Sequence, residues 1–294
     1  MLKEKAEHIA PKTSTYVDLV GTGGDKTFTF NISTTAAFVA AGAGLSIAKH
    51  GNRSISSKSG AGDVLEALGV NIMAEPAVVT KCVEEAGLGF MFAQSFNKSM
   101  KNVGQTRKDM GIRTVFNILV PLAHPSDAEC MVVGVYDPSM TEIVANALSR
   151  LGVENGFVVS GEDHMDEFTL TGKSNVSEIR NSEVNTYEVT PEQFGLHRAS
   201  LEELQGGDGA DSGQVARRAR RAPSRQAFGD RRGQVVHLVH RGRVPPRLRQ
   251  AQVCPGKAVR ILRHHKRGQV PQGTRRQPQV LDHAADRRAD QGYR

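Results

Sequence analysis

The chain has 294 residues, a formal net charge of +7 and three cysteines, Cys82, Cys130 and Cys254. That length suits one large domain or two modest ones. Three distant cysteines without a Cys-x-x-Cys pair make neither a disulfide framework nor a zinc site. No apolar run approaches the roughly 20 residues of a membrane span and the first residues do not read as a signal peptide, so a cytoplasmic protein without membrane partners is expected.

In chain order, Tyr16–Val20 predicts a short apolar strand that ends in Gly21-Thr-Gly-Gly-Asp25. Asn31 or Ser33 can cap a helix through Ala36–Ala41, which the Gly42 and Gly44 pair stops. Ser46–Ala48 predicts a second strand that feeds a Lys49-His50 loop, followed by a helix around Asp63–Leu68 and an amphipathic one near Pro76–Ala86. Met131–Tyr136 and Gly156–Ser160 read as buried strands. Between them Pro138–Arg150 reads as a helix with Ile143, Val144, Ala147 and Leu148 on one face. Alternating strands and helices imply an α/β fold, a largely parallel sheet flanked by helices, with ligands at the carboxyl ends of the strands.

The charge is unevenly placed. Residues 1–205 carry 17 Lys and Arg against 25 Asp and Glu, whereas residues 206–294 carry 21 against 6, with 19 arginines and no glutamate. Segments such as Ala216–Ala222 and Arg241–Arg249 lack sustained periodicity. Two readings account for this tail: a disordered basic extension, or a stretch translated in a shifted frame, where Glu and Lys become scarce.

Several polar blocks fall at the predicted strand ends. Gly21-Thr-Gly-Gly-Asp25 is either a tight turn or a loop whose amides approach an anion. It is neither a Walker A loop nor G-x-G-x-x-G. Asn31-Ile-Ser-Thr34 is explained by a helix cap or by ligand contact. Lys49-His-Gly-Asn-Arg53 places cations around a glycine, and no carboxylate lies between Asp25 and Asp63, so a locally positive cavity is expected. Asp166-Glu167 is either an acidic surface loop or a pair suited to Mg²⁺. Arg107 is either a solvated cation or a bidentate carboxylate partner.

In order and spacing, Gly21–Asp25, Asn31–Thr34, Lys49–Arg53, Asp63-Val-Leu-Glu-Ala-Leu-Gly69, Gly111-Ile-Arg-Thr-Val-Phe-Asn117 and Met165-Asp-Glu167 closely resemble the anthranilate phosphoribosyltransferase family over residues 17–205. The resemblance implies a nucleoside phosphorylase/phosphoribosyltransferase-like catalytic domain. It also implies Mg²⁺-dependent transfer of phosphoribosyl from phosphoribosyl pyrophosphate to the amine of anthranilate, in a cytoplasmic homodimer of the tryptophan pathway. No side chain is assigned as an acid or base, since catalysis would come from positioning and metal. By the resemblance, phosphoribosyl pyrophosphate would meet Gly21, Gly24, Asp25, Thr29, Asn31, Ile32, Ser33, Thr34, Lys49, His50, Gly51, Asn52, Arg53, Ser54, Ile55, Ser56, Ser57 and Ala61. Anthranilate would meet Gly21, Asn52 and Arg107, and two Mg²⁺ ions would sit on Ser33, Asp166 and Glu167.

The chain departs from the family pattern in places. Twenty residues precede Gly21, so residues 1–15 are read as the remnant of a small helical domain that is mostly absent, residues 16–205 as the α/β domain and residues 206–294 as the tail. Asn97-Lys-Ser-Met100 stands where the family has His-Pro-Ala-Met, and Val120-Pro-Leu-Ala-His-Pro125 where it has Gly-Pro-Leu-Thr-Asn-Pro. Ala61 replaces a serine. Two other functions compete with the transferase. One is a nucleic-acid-binding relative that uses the tail, if the tail is genuine. The other is a nucleoside phosphorylase, against which the Lys49–Arg53 block argues.

Overall fold

The structure, a computed structural model, describes residues 3–13, 15–54, 58–100, 109–110 and 114–221. Its frame is a seven-stranded sheet in the order β3-β2-β1-β4-β5-β6-β7. The strands are β1 (Val17–Gly21), β2 (Ile47–Gly51), β3 (Leu88–Phe92), β4 (Cys130–Gly134), β5 (Asn155–Gly161), β6 (Ser174–Arg180) and β7 (Glu183–Val189). The first five are parallel, and β6 and β7 continue the sheet antiparallel. The expected α/β fold with a largely parallel sheet is what forms.

The helices follow from caps and apolar spacing. In α1 (Ile32–Gly42) the Asn31 side chain accepts from the Thr34 amide at 2.9 Å. Its buried face of Thr34, Ala36, Ala37 and Ala40 is small enough to lie close against Val17, Leu19 and Ile47 of the sheet. Next come α2 (Ala61–Ala67), α3 (Pro76–Lys81, continued by a π turn, Cys82–Ala86), α4 (Ala93–Phe96) and α5 (Phe116–Leu122). α6 (Thr141–Arg150) buries Val144, Ala145 and Leu148 against Val133, Val158 and Ile179. Val144 and Leu148 each contribute about 1.5–3 kcal/mol of burial, and the Ala145 methyl less. Ile143, expected on that face, is 62% exposed; the inward stripe runs through Thr141, Val144, Ala145 and Leu148, and Ile143 falls beside it.

Two further expectations are corrected. Lys49 and His50 are buried residues at the end of β2, because Asp18 and the Leu19 carbonyl on β1 supply partners for them. The chain from 206 was expected to lack regular structure, yet α7 (Leu201–Leu204) is followed by α8 (Gly209–Arg221). Asp208 caps α8 by accepting from the Ala210 and Asp211 amides at 2.9 and 3.0 Å, and Ser212 and Ala216 are buried. The remainder of the tail, from 222 onward, lies outside the described residues, as do Arg107 and Ile55–Ser57. At the other end, Ile9 packs among Ala48, Val79, Val83, Met91 and Phe96.

β1 and β2 lie side by side with irregular pairing. Their registered pairing is confined to Val17↔Ile47, whereas β1–β4 and β2–β3 each hold five registered pairs. Chain order reverses across β1, with β2 and β3 on one side and β4 and β5 on the other. That switch point places a crevice beyond the carboxyl ends of β1 and β4.

Candidate active site

Four strands end at the crevice, with Gly21, Gly51, Gly134 and Gly161 as their last residues. Gly21 and Gly134 are paired in register, and neither has room for a side chain. A Cβ on Gly21 would meet the Asp166 carboxyl carbon at 3.0 Å, and one on Gly134 would meet the Asp166 carbonyl carbon at 2.5 Å. The loop after β5 thus rests directly on two glycines, which fixes where Asp166 and Glu167 point. Met165, wholly buried in an apolar cluster with Leu170 and Leu196, anchors it from behind.

The Asp166 carboxylate accepts the Gly23 amide at 2.7 Å, joining the β5 loop to the glycine loop after β1. Burial first, and the neighbouring Asp25 charge second, push its pKa well above the carboxylate range against the pull of Gly23 and Lys49. Glu167 is raised as well, by burial and then by Asp166, although the Ser33 amide donates to it. Two adjacent carboxylates that resist ionisation, beside a third at Asp25, make a site with unmet demand for positive charge.

The nearest cation is Lys49, 1% exposed. Its ammonium donates to the Leu19 carbonyl and to Ser33 Oγ at 3.2 Å. Burial lowers its pKa, against Asp18, Glu167 and Asp166, which favour the charge. Among the described residues no three His, Cys, Asp or Glu side chains are arranged to hold a metal by themselves. The donor set of Ser33, Asp166 and Glu167 fits Mg²⁺, a hard cation that takes one or two protein carboxylates and completes its shell with water and phosphate oxygens.

Beneath Lys49 lies a polar chain that sequence reasoning missed. Asp18 Oδ1 accepts the His50 amide at 3.0 Å, and Asp18 Oδ2 lies 2.8 Å from His124 Nε2. The His124 ring meets the His50 ring edge-on at 5.8 Å, and His50 Nε2 lies 2.9 Å from Asn97 Nδ2. All four residues are at most 4% exposed. Burial would raise the Asp18 pKa, but His124, Lys49 and His50 together outweigh it and hold it below the ordinary value. Burial, followed by His124, drives His50 down to about 3. Asp18 inside an apolar strand was the available signal, since a buried carboxylate needs a partner. Asn97 and His124, both at departures from the family pattern, flank the same histidine.

The remaining predicted residues divide. Ser33, Lys49, Asp25, Asp166 and Glu167 come together, with Gly21 and Gly24 beside them. Asn31 is committed to the α1 cap and donates from Nδ2 to the Ser59 carbonyl at 3.3 Å. Ile32 turns its side chain into the core, Thr34 is buried with its amide in the cap, and Thr29 bridges to Gln205. The Arg53 guanidinium lies on Glu66 at 2.5 and 2.6 Å and on Asp63 at 3.3 Å, so α2 supplies carboxylates to a stretch that has none of its own between Asp25 and Asp63. Asp63 also accepts the Ser54 and Gly60 amides at 3.0 and 2.9 Å and so ties these two positions together. Asn52 accepts from the Arg53 amide at 2.8 Å, Gly51 ends β2, and Ala61 opens α2.

The family model described as "Glycosyl transferase family, a/b domain" matches residues 13–231. Anthranilate phosphoribosyltransferase of Acetivibrio thermocellus is 53% identical over 218 residues, which is 74% of this chain and 63% of that protein; the chain therefore spans under two thirds of this curated relative. The crystal structure of anthranilate phosphoribosyltransferase from Thermus thermophilus superposes with a TM-score of 0.76 at 39% identity, covering 89% of this chain and 75% of that one. The Saccharomyces cerevisiae enzyme in complex with PRPP and Mg superposes at 0.72 with 26% identity, over 90% and 76%. This chain belongs to that glycosyl transferase family, and within it to the anthranilate phosphoribosyltransferases.

Proposed function

We propose that the chain transfers the phosphoribosyl group of phosphoribosyl pyrophosphate to the amino nitrogen of anthranilate and releases pyrophosphate, using Mg²⁺. The observation that carries this reading is the convergence of Ser33, Lys49, Asp166 and Glu167 at the carboxyl ends of β1, β2 and β5. The relatives, one of them described with PRPP and Mg, support it. In the reaction the amine nitrogen bonds to the ribose C1, the bond from C1 to the pyrophosphate oxygen breaks, and the nitrogen loses a proton to solvent. An aromatic amine needs little help from a base, so positioning and charge compensation carry the rate.

The residues divide that work. The glycine loop and the N-terminus of α1 would border the anionic substrate, with the Gly23 and Ser33 amides engaged by Asp166 and Glu167. Lys49 and its Ser33 contact place a cation next to Asp166 and Glu167, which would hold two Mg²⁺ ions together with Ser33. Bound there, Mg²⁺ would offset the charge that develops on the leaving pyrophosphate. Arg107 would take the anthranilate carboxylate, with Gly21 and Asn52 beside the ring. The family resemblance extends the proposal to a cytoplasmic homodimer, testable by sedimentation. Among the described residues no helix is long and apolar enough to cross a membrane.

The test is to incubate the purified chain with phosphoribosyl pyrophosphate, Mg²⁺ and anthranilate. Equimolar pyrophosphate and phosphoribosyl-anthranilate are expected. Consumption of phosphoribosyl pyrophosphate without loss of anthranilate would overturn the acceptor assignment.

A further inference from the structure

The loop between β1 and α1 is strained. Lys26 and Phe28, neither of them glycine, have φ of 60° and 55°. Such backbones persist where the surroundings over-determine them. The restraint lies far along the chain, in residues 204–212. The Phe30 amide donates to the Leu204 carbonyl at 3.1 Å, and the Gly206 amide donates to the Phe28 carbonyl at 2.9 Å. Between these bonds Thr29 and Gln205 form an antiparallel bridge. Gly206 lies so close that a Cβ on it would fall 2.5 Å from the Phe30 nitrogen and 2.9 Å from the Phe30 Cβ. The fully buried hydroxyl of Ser212, in α8, accepts the Asn31 amide at 3.3 Å.

The same segment reaches the second loop. A Cβ on Gly209 would lie 2.7 Å from the carbonyl oxygen of Asp63, the residue that gathers the Ser54 and Gly60 amides. Asn31, held by Ser212, is also the residue that donates to Ser59. Two loops separated in sequence are thereby fastened by one short segment. That segment begins where the composition turns basic and where an irregular tail is expected from sequence.

We propose that Gly206, Gly209 and Ser212 are positioning residues for phosphoribosyl pyrophosphate: the 204–212 segment clasps the strained 26–31 loop to Asp63 and, through it, to Ser54 and Gly60, so these anchor points are preformed before substrate arrives. The inference rests on the function proposed above. None of the three residues touches substrate; each acts through Phe30, Asn31 or Asp63.

The test uses the full chain with Gly206→Ala, the milder Ser212→Ala, and Leu148→Ala as a control in the core under α6. Gly206→Ala is expected to raise the KM for phosphoribosyl pyrophosphate about 10- to 100-fold, the effect of letting strained residues relax. Ser212→Ala is expected to raise it about threefold, as for loss of a long hydrogen bond. Amide exchange at Phe30 and Asn31 should quicken in both, with the KM for anthranilate changed less. Leu148→Ala should lower the melting temperature while leaving that KM and those amides unchanged. If Gly206→Ala does not fold, Ser212→Ala decides alone. Wild-type KM and wild-type exchange at Phe30 and Asn31 in variants that melt as early as the control would overturn the proposal. Should the unaltered chain fail to bind phosphoribosyl pyrophosphate by calorimetry, the functional reading falls, and exchange at Phe30 and Asn31 still decides whether the clasp exists.

Discussion

Gly134→Ala should disable the site while most of the fold survives. Gly134 ends β4, opposite Gly21 of β1 and Val159 of β5. A Cβ there would lie 2.5 Å from the Asp166 carbonyl carbon and 3.2 Å from its Cβ. Carbon atoms rest about 3.5–4.0 Å apart, so the 165–167 segment must retreat by about 1 Å. It cannot do so freely, because Met165 is wholly buried, the Gly161 amide donates to its carbonyl at 2.8 Å, and the Gly23 amide holds the Asp166 carboxylate. Overpacking of this kind costs about 1–3 kcal/mol, and a shift of about 1 Å at a reacting site lowers rates by about 100-fold. Gly152→Ala is the matched control: its φ is 99° and nothing crowds its Cβ position, so it brings backbone strain alone, about 1 kcal/mol or more. Melting curves and Mg²⁺-dependent loss of anthranilate would be measured for both. Comparable melting losses are expected, with kcat/KM down about 100-fold for Gly134→Ala and less than about twofold for Gly152→Ala. Near-wild-type turnover in Gly134→Ala would refute the claim that this glycine sets the position of Asp166.

Acid should destabilise the fold through His50. Its folded pKa of about 3 lies below the ordinary 6.5, so the unfolded chain takes up a proton that the folded chain refuses. The resulting stability is complete above pH 6.5 and is lost as pH falls toward 3, by about 2 kcal/mol at pH 5; urea unfolding should show this slope in the wild type and a shallower one in His50→Gln, and equal slopes would contradict it. Asp63→Ala removes the acceptor of the Ser54 and Gly60 amides and one partner of Arg53, and should raise the KM for phosphoribosyl pyrophosphate about tenfold with little change in kcat. An unchanged KM would mean that Ser54 and Gly60 are held by other contacts. Asn97→Ala leaves His50 Nε2 buried without its partner, at about 1–3 kcal/mol; a melting temperature equal to wild type would show that the ring is satisfied elsewhere.

The site was legible where its chemistry is local in sequence. The glycine loop, the Asn31 cap and the Asp166-Glu167 pair each stand as short blocks at strand ends, and the structure places them at one crevice. What could not be read depends on residues brought from a distance. Nothing next to Lys49 and His50 announces that they continue a strand, because their partners, Asp18 and Leu19, lie 30 or more residues earlier. Arg53 looked unpaired until α2 folded Asp63 and Glu66 back onto it. The β6–β7 hairpin escaped notice because β7 is mostly exposed and polar, with Val189 its one buried residue, and because its turn uses Asn181-Ser182 at positive φ in place of a glycine. Composition also misplaced the end of regular structure. An arginine-rich segment can still be helical when Asp208 caps it and Ser212 and Ala216 face inward.

The central claim is that Asp166 and Glu167 hold the metal that makes phosphoribosyl transfer possible. The most direct measurement is turnover of phosphoribosyl pyrophosphate and anthranilate across a Mg²⁺ titration, comparing the unaltered chain with the Asp166→Asn, Glu167→Gln double variant after circular dichroism has shown both folded. The account predicts saturable Mg²⁺-dependent turnover in the first and none in the second at any Mg²⁺ concentration. Full activity in the double variant, at the same Mg²⁺ midpoint, would contradict it.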